Sequence, residues 1–359
     1  MKQNSDKPYL IENRIIIAFL GILSVIAIGL VLYYARSIIL PFALAVFISY
    51  VLNPIITFFE KRKIPVAISI ILSIIITFLI LNLCGVLIYG SIKSFAADFP
   101  KYEARVDQIY HSVLHLLDIP QAPVAGDVQE GDRFGILADI NNLSVSGIIL
   151  KTLGSIMNFL SDTALVLLFL LFILIGRNQL IHKIRLAFKQ DMSNRISTII
   201  TNINKEIQKY LVAKTLISFL TGVSVTIVLV LFDVEFALVW GLLTFLLNFI
   251  PTIGSFVAVL LPLGVAFFQY SDNLIMLLWI ALILIAIQFT EGNLIDPRVI
   301  GHSLNLSPLV VLFSLIFWGW LWGIIGMFLA VPLAVIAKII FENIDSLRFI
   351  SVLMSSKRM

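Results

Sequence analysis

The sequence predicts an all-α, polytopic integral membrane protein with about eight transmembrane helices, two of its segments being broken or folded back. Three observations carry this. Of 359 residues, 60% are hydrophobic and only 13% are charged, against roughly 25% charged in a soluble domain. Asp, Glu, Lys and Arg are absent from long stretches at 15–35, 37–59, 64–92, 163–176, 215–232, 236–271, 273–290 and 299–337. The basic residues that remain gather on alternate sides of those stretches. A helix rises about 1.5 Å per residue and the hydrocarbon layer is about 30 Å thick, so around 20 apolar residues make one crossing.

The first three stretches fit one span each, giving a unit over 1–92. The stretch at 163–176 is short, and extending it back to Thr152 includes Asp162, so the fourth span carries that acid. Two stretches exceed a single crossing: 236–271, with Pro251 and Gly254 near its centre in NFIPTIG, and 299–337, with Trp318, Gly319, Trp320, Trp322, Gly323 and Gly326 between Pro308 and Pro332. Proline removes an amide donor and glycine relaxes the backbone, so both stretches are expected to fold back. Irregular backbone at membrane depth survives only where protein or a water-filled cavity covers it, which makes such breaks pointers to a transport path. An ordinary loop between two full spans is the alternative.

Loop charge sets the orientation. Residues 177–214 hold eight basic residues and two acidic ones, and residues 93–150 hold four basic and eight acidic. The positive-inside rule puts the first loop in the cytoplasm and the second outside. Both chain ends are basic and fall inside, which requires an even number of crossings. The reading is therefore of three N-terminal spans (1–92), an acidic extracytoplasmic region (93–151) and a C-terminal core (152–359) that includes a basic cytoplasmic helix at 177–210. The basic face of that helix suits anionic lipid. His111 and His115, at helical spacing in the outer region, read as a solvated face rather than a metal pair.

Several chemistries are excluded by pattern. No phosphate-cradling GxxxxGK[ST], no GxGxxG, no HExxH and no GxSxG occurs, so ATP-driven pumping, dinucleotide chemistry and hydrolytic enzyme chemistry have no motif to rest on. No cofactor is called for, and the basic residues follow the membrane's orientation rule rather than a nucleic-acid surface. Cys84 has no intrachain partner because it is the single cysteine.

Candidate site residues cluster at the breaks. Glu291, Asp296 and Arg298 lie where an apolar span runs into a Gly- and Pro-containing segment. One reading is that Glu291 or Asp296 takes a proton or cation while Arg298 balances its charge, with Asn248 and Asn293 as neutral polar contacts and Pro251 and Pro297 freeing backbone ligands. The other is an interfacial Glu–Arg salt bridge that anchors the loop. Asp162 is the second acid, with Lys214 at the start of the next span as its expected partner.

FALVWGLLTFLLNFIPTIGSFVAVLLP, followed by EGNLIDPRVIGHSLNLSPLVVLFSLIFWGWLWGIIGMFLAVPLAV, resembles the autoinducer-2 exporter (AI-2E) family of bacterial inner-membrane proteins. The family's recurring features appear as Asn248, Pro251 and Gly254, then as Glu291, Asn293, Pro297, Arg298 and Gly301; Asp296 departs from the pattern. The resemblance implies a secondary transporter with about eight spans, both termini cytoplasmic, and copies assembled into a homo-oligomer, five being the number suggested. It implies export of a small polar solute such as autoinducer-2, or exchange of sodium for protons. A non-transporting membrane scaffold is the reading from another class. In a Cys84→Ser background, Asp233→Cys should react with an impermeant thiol reagent from outside and Arg348→Cys from inside; reaction of both from one side would overturn the even count.

Overall fold

The computed structural model describes residues 7–116, 145–176, 179–299 and 305–356. Every regular element among them is helical. In chain order these are α1 (Lys7–Tyr34), α2 (Arg36–Lys61), α3 (Val66–Leu116), α4 (Val145–Gly176), α5 (Gln179–Ala187), α6 (Gln190–Leu231), α7 (Ala237–Leu247), α8 (Ile253–Gln269), α9 (Leu274–Thr290), a π turn (Glu291–Ile295), α10 (Asp296–Val299), α11 (Pro308–Glu342) and, after a short 3-10 turn, α12 (Arg348–Met354). Five described helices are long and apolar enough to cross a membrane, or six if the bent pair α4–α5 counts as one span. The chain is a multi-pass membrane protein. It packs as two compact units, one made of the residues before Ile48 together with those from Asn305 onward, the other of the residues between.

In the central unit, α6 is the long element. The basic stretch expected as a separate cytoplasmic helix is instead α5 followed by the first half of α6, which runs on without a break into the apolar span. The helix survives the change of surroundings because its polar half finds partners: Tyr50 Oη donates to Asn204 Oδ1 at 2.7 Å and Asn53 Nδ2 to Gln208 Oε1 at 3.0 Å. The acidic region expected outside likewise begins as an unbroken continuation of α3, through Leu116. Ser69, Ser73 and Thr77 form a buried stripe on α3. Each hydroxyl donates to the carbonyl four residues earlier, so these small polar side chains add no unmet group.

The stretch 236–271 does fold back. It forms α7 and α8, of 11 and 17 residues, each short of the ~20 needed for a crossing. The turn between them holds Pro251 and then Thr252 at φ 60°, ψ −57°, with Ile253 N donating to Pro251 O at 2.7 Å. That is a γ-turn of the rare positive-φ kind, a strained conformation. Gly254 follows because any Cβ there would overlap the Leu247 carbonyl. α7 packs back on α6 through Gly222 and Gly241, where a Cβ on either would press on the other's carbonyl oxygen. Val225, Leu229, Val234, Ala237, Val265, Ala266, Ile280 and Leu284 close an apolar core among α6, α7, α8 and α9. At its rim Tyr270 Oη donates to the Phe232 carbonyl. Burial, and then the nearby Asp233 carboxylate, push that phenol up from its ordinary value.

The second overlong stretch also folds back, in the unit built from the chain ends. Within α11, Gly323 adopts φ 67°, ψ −146°, a region open essentially to glycine alone. Ser314 Oγ donates to Ala330 O at 2.8 Å, although 16 residues of straight helix would hold them about 24 Å apart. The arms 308–322 and 324–342 therefore lie antiparallel, with Trp318 and Trp322 packed at a ring distance of 4.7 Å beside the apex. At the open end, Lys338 Nζ donates to Asn305 O at 2.9 Å, and Leu306 pairs with Ser355 as an isolated β-bridge.

Overpacking a tight helix contact costs about 1–3 kcal/mol. Gly241→Ala, whose Cβ would overlap Thr226, should lower the melting temperature in detergent by several degrees. Gly264→Ala, with open space around it, should leave it unchanged; equal effects would refute the close α6–α7 approach.

Candidate functional site

Lys214 is where α6 passes from its basic half to its apolar half, and its ammonium is buried. It donates to Glu291 Oε1 at 2.7 Å and to Asp296 Oδ2 at 2.8 Å. The exposures of the three side chains are 8%, 2% and 25% in that order, so this is an ion triad shielded from solvent. An ammonium is a compact charge with three donors, suited to bridging two carboxylates from separate positions.

The two acids reach one ammonium because of the π turn. At about 100° per residue in an α-helix, positions five apart point roughly 140° away from each other. In the turn Glu291–Ile295 the Asp296 amide donates to the Glu291 carbonyl, the i→i+5 bond of a π-helix. This widened turn stacks residue 296 under residue 291, and such turns concentrate at functional positions. The local sequence permits it: Gly292 adds no side chain, and Pro297 lacks the amide with which an α-helix would continue.

Asn248, at the end of α7, is 2% exposed and approaches the Glu291 carboxylate. Thr244 lies one turn earlier on the same helix and is fully buried. Tyr210, one turn before Lys214, is buried close to Asp296. The triad sets two acids against one ammonium, and two of its carboxyl oxygens, Glu291 Oε2 and Asp296 Oδ1, are buried without a hydrogen-bond partner among the described residues. Neither amide atom of Asn248 completes a hydrogen bond, nor does the Thr244 hydroxyl. The arrangement is thus a buried, net-acidic pocket edged with unmet polar groups beside the strained Thr252 turn.

Of the residues singled out from sequence, Glu291, Asp296, Asn248 and Lys214 come together. Pro251 and Gly254 shape the turn next to Asn248. Asn293 is exposed, with Nδ2 donating to Phe289 O at 3.1 Å, and Arg298 and Pro297 are exposed on α10. Gly301 lies outside the described residues. Two expected pairings are corrected. The cation beside Glu291 and Asp296 is Lys214, not Arg298, because the π turn brings both acids to α6 while Arg298 is exposed on α10. Lys214 therefore does not pair with Asp162, which is exposed on α4. Sequence reasoning missed the π turn, and with it the role of Lys214; the run Glu-Gly-Asn-Leu-Ile-Asp-Pro holds the needed residues but no periodic signal. It also missed Tyr210.

A family model described as AI-2E family transporter matches residues 22–346. The chain belongs to this family. It is 35% identical to the AI-2 transport protein TqsA of Escherichia coli K12 over 97% of this chain and 98% of that protein. It is 30% identical to a putative transport protein of Borreliella burgdorferi, covering 96% and 91% of the two chains, and 30% identical to the Escherichia coli K12 putative transport protein YhhT over 87% and 86%. This AI-2E family chain is a membrane transporter, and the triad lies in the part of it that the family model covers.

Removing one partner of a buried ion pair costs about 3–5 kcal/mol, because the remaining charge is stranded. Lys214→Met should therefore lower the melting temperature markedly. Adding Glu291→Gln to it should restore part of the loss; strictly additive losses would show that the two side chains do not share their charge.

Proposed function

We propose that this protein is a secondary carrier of the bacterial inner membrane, with both termini cytoplasmic and several copies of the chain in the assembly, that exports a small polar solute. The observation that supports it is the buried Lys214–Glu291–Asp296 triad with unmet polar groups around it. A structural anchor gains nothing from a buried acidic pocket whose oxygens lack partners, since an apolar replacement would be at least as stable. A carrier gains a site whose charge balance changes when a solute or ion enters. The Escherichia coli relative bears the name of an AI-2 transport protein, which makes autoinducer-2 the first solute to test.

A second reading, exchange of a monovalent cation for protons, is favoured by one specific feature: Glu291 Oε2 and Asp296 Oδ1 are two buried oxygens in a site of two acids and one ammonium. The two readings separate in one assay. In proteoliposomes, autoinducer-2 counterflow and sodium-driven proton movement are measured side by side for the wild type and for Glu291→Gln. We expect Glu291→Gln to abolish the active mode at normal expression and assembly. Unchanged flux would remove Glu291 from the mechanism, and no flux of either kind in the wild type would favour a scaffold.

A further inference from the structure

Gln288 is a buried polar group that the triad does not use. It lies in the last turn of α9, three residues before Glu291, so the two side chains share a helix face. It is 8% exposed, and neither Oε1 nor Nε2 completes a hydrogen bond with any described residue. A carboxamide presents two N–H donors and an acceptor oxygen, and burying them unmet is worse than having an apolar side chain there. The α3 stripe shows how this fold satisfies small polar groups, by bonding each to its own helix. Gln288 makes no such bond. Packing against Ile285 and Leu284 gives no reason for a glutamine.

Its surroundings give one. Gln288 and Ser255 are the polar residues along an open groove of about 460 Å³ between α8 and α9, otherwise walled by apolar side chains, of which Phe256, Leu260 and Phe289 are exposed. On the other flank of α9, Glu291 borders a groove of about 470 Å³ towards α6, with Thr221 and Ser224. Gln288 thus borders one groove and Glu291 the other, one helical turn apart on α9.

We propose that Gln288 is a ligand-selecting residue of the transport site, reading a neutral group that both donates and accepts hydrogen bonds, one helical turn from the charged triad. This rests on the carrier reading. A bare cation would engage Oε1 and leave Nε2 unmet, whereas a hydroxyl beside a carbonyl or a second hydroxyl meets both. Charge is then sensed by Lys214, Glu291 and Asp296, and hydrogen-bonding pattern by Gln288.

The test uses full-length protein, wild type and the variants Gln288→Leu and Gln288→Asn. Melting temperature is recorded without ligand, with autoinducer-2 and with sodium chloride, and counterflow of autoinducer-2 is measured in proteoliposomes. Loss of one well-made hydrogen bond is worth about tenfold in affinity, so Gln288→Leu should raise KM by at least about that factor with little change in maximal rate. Its ligand-free melting temperature should equal or exceed the wild type's, its autoinducer-2 shift should vanish, and Gln288→Asn should recover part of the affinity. A Gln288→Leu variant that keeps its shift and its KM, or that melts lower without ligand, would overturn the assignment. So would a wild type stabilised by sodium alone. A wild type with neither shift nor flux sinks the carrier reading and this assignment with it, an outcome distinct from binding that survives the substitution.

Discussion

A single buried ammonium organises the central unit. Lys214 sits where α6 changes from a basic helix to an apolar one, and an uncompensated charge at that depth would be prohibitive. Glu291 and Asp296 compensate it, and to do so α9 must end in a π turn rather than continue as an α-helix. The π turn and the short α10 after it thus follow from where one lysine lies. The triad in turn holds α9 to α6, the two helices that border the groove in which Glu291 lies.

The two folded-back segments solve a different problem by the same means. A membrane helix that stops midway must satisfy the backbone groups at its end. In 236–271 the answer is a strained turn at Thr252 with Gly254 pressed on the preceding helix; in 299–337 it is Gly323 at a backbone conformation closed to other residues, with Gly326 against the Trp318 carbonyl. The glycines that matter are those where two backbones touch, and Gly323, where φ is positive. Gly264, with nothing near it, marks no such contact. Strain at Thr252 lies a few residues from Asn248, so the turn and the polar pocket are parts of one local structure.

Much of the site could be read from residues alone, and what could not be read has a definable cause. Glu291 and Asp296 are conspicuous because an acid next to an apolar run is costly, and Asn248 because it precedes a proline within one. Their partner is not legible along the chain. Arg298 lies two residues from Asp296 in the chain, and Lys214 opens the span after the one carrying Asp162, so proximity along the chain favoured both wrong pairs. The true pair spans 77 residues and depends on a turn of irregular period. Gln288 is not legible either, because a lone glutamine in an apolar helix looks neutral until its burial and its missing partners are known.

By itself the sequence determined the solvent, the helical class and the places where helices must break, because those depend on how many apolar residues follow one another and on where proline and glycine interrupt them. Charge placement in the loops also set an expected orientation. Only the tertiary structure decided which charges meet, that a basic stretch and a span form one helix, and that Gly323, among the clustered glycines, is the apex of the second fold-back. The physical reason is that burial of a charge is determined by every element around it, whereas a run of residues records only its own neighbours.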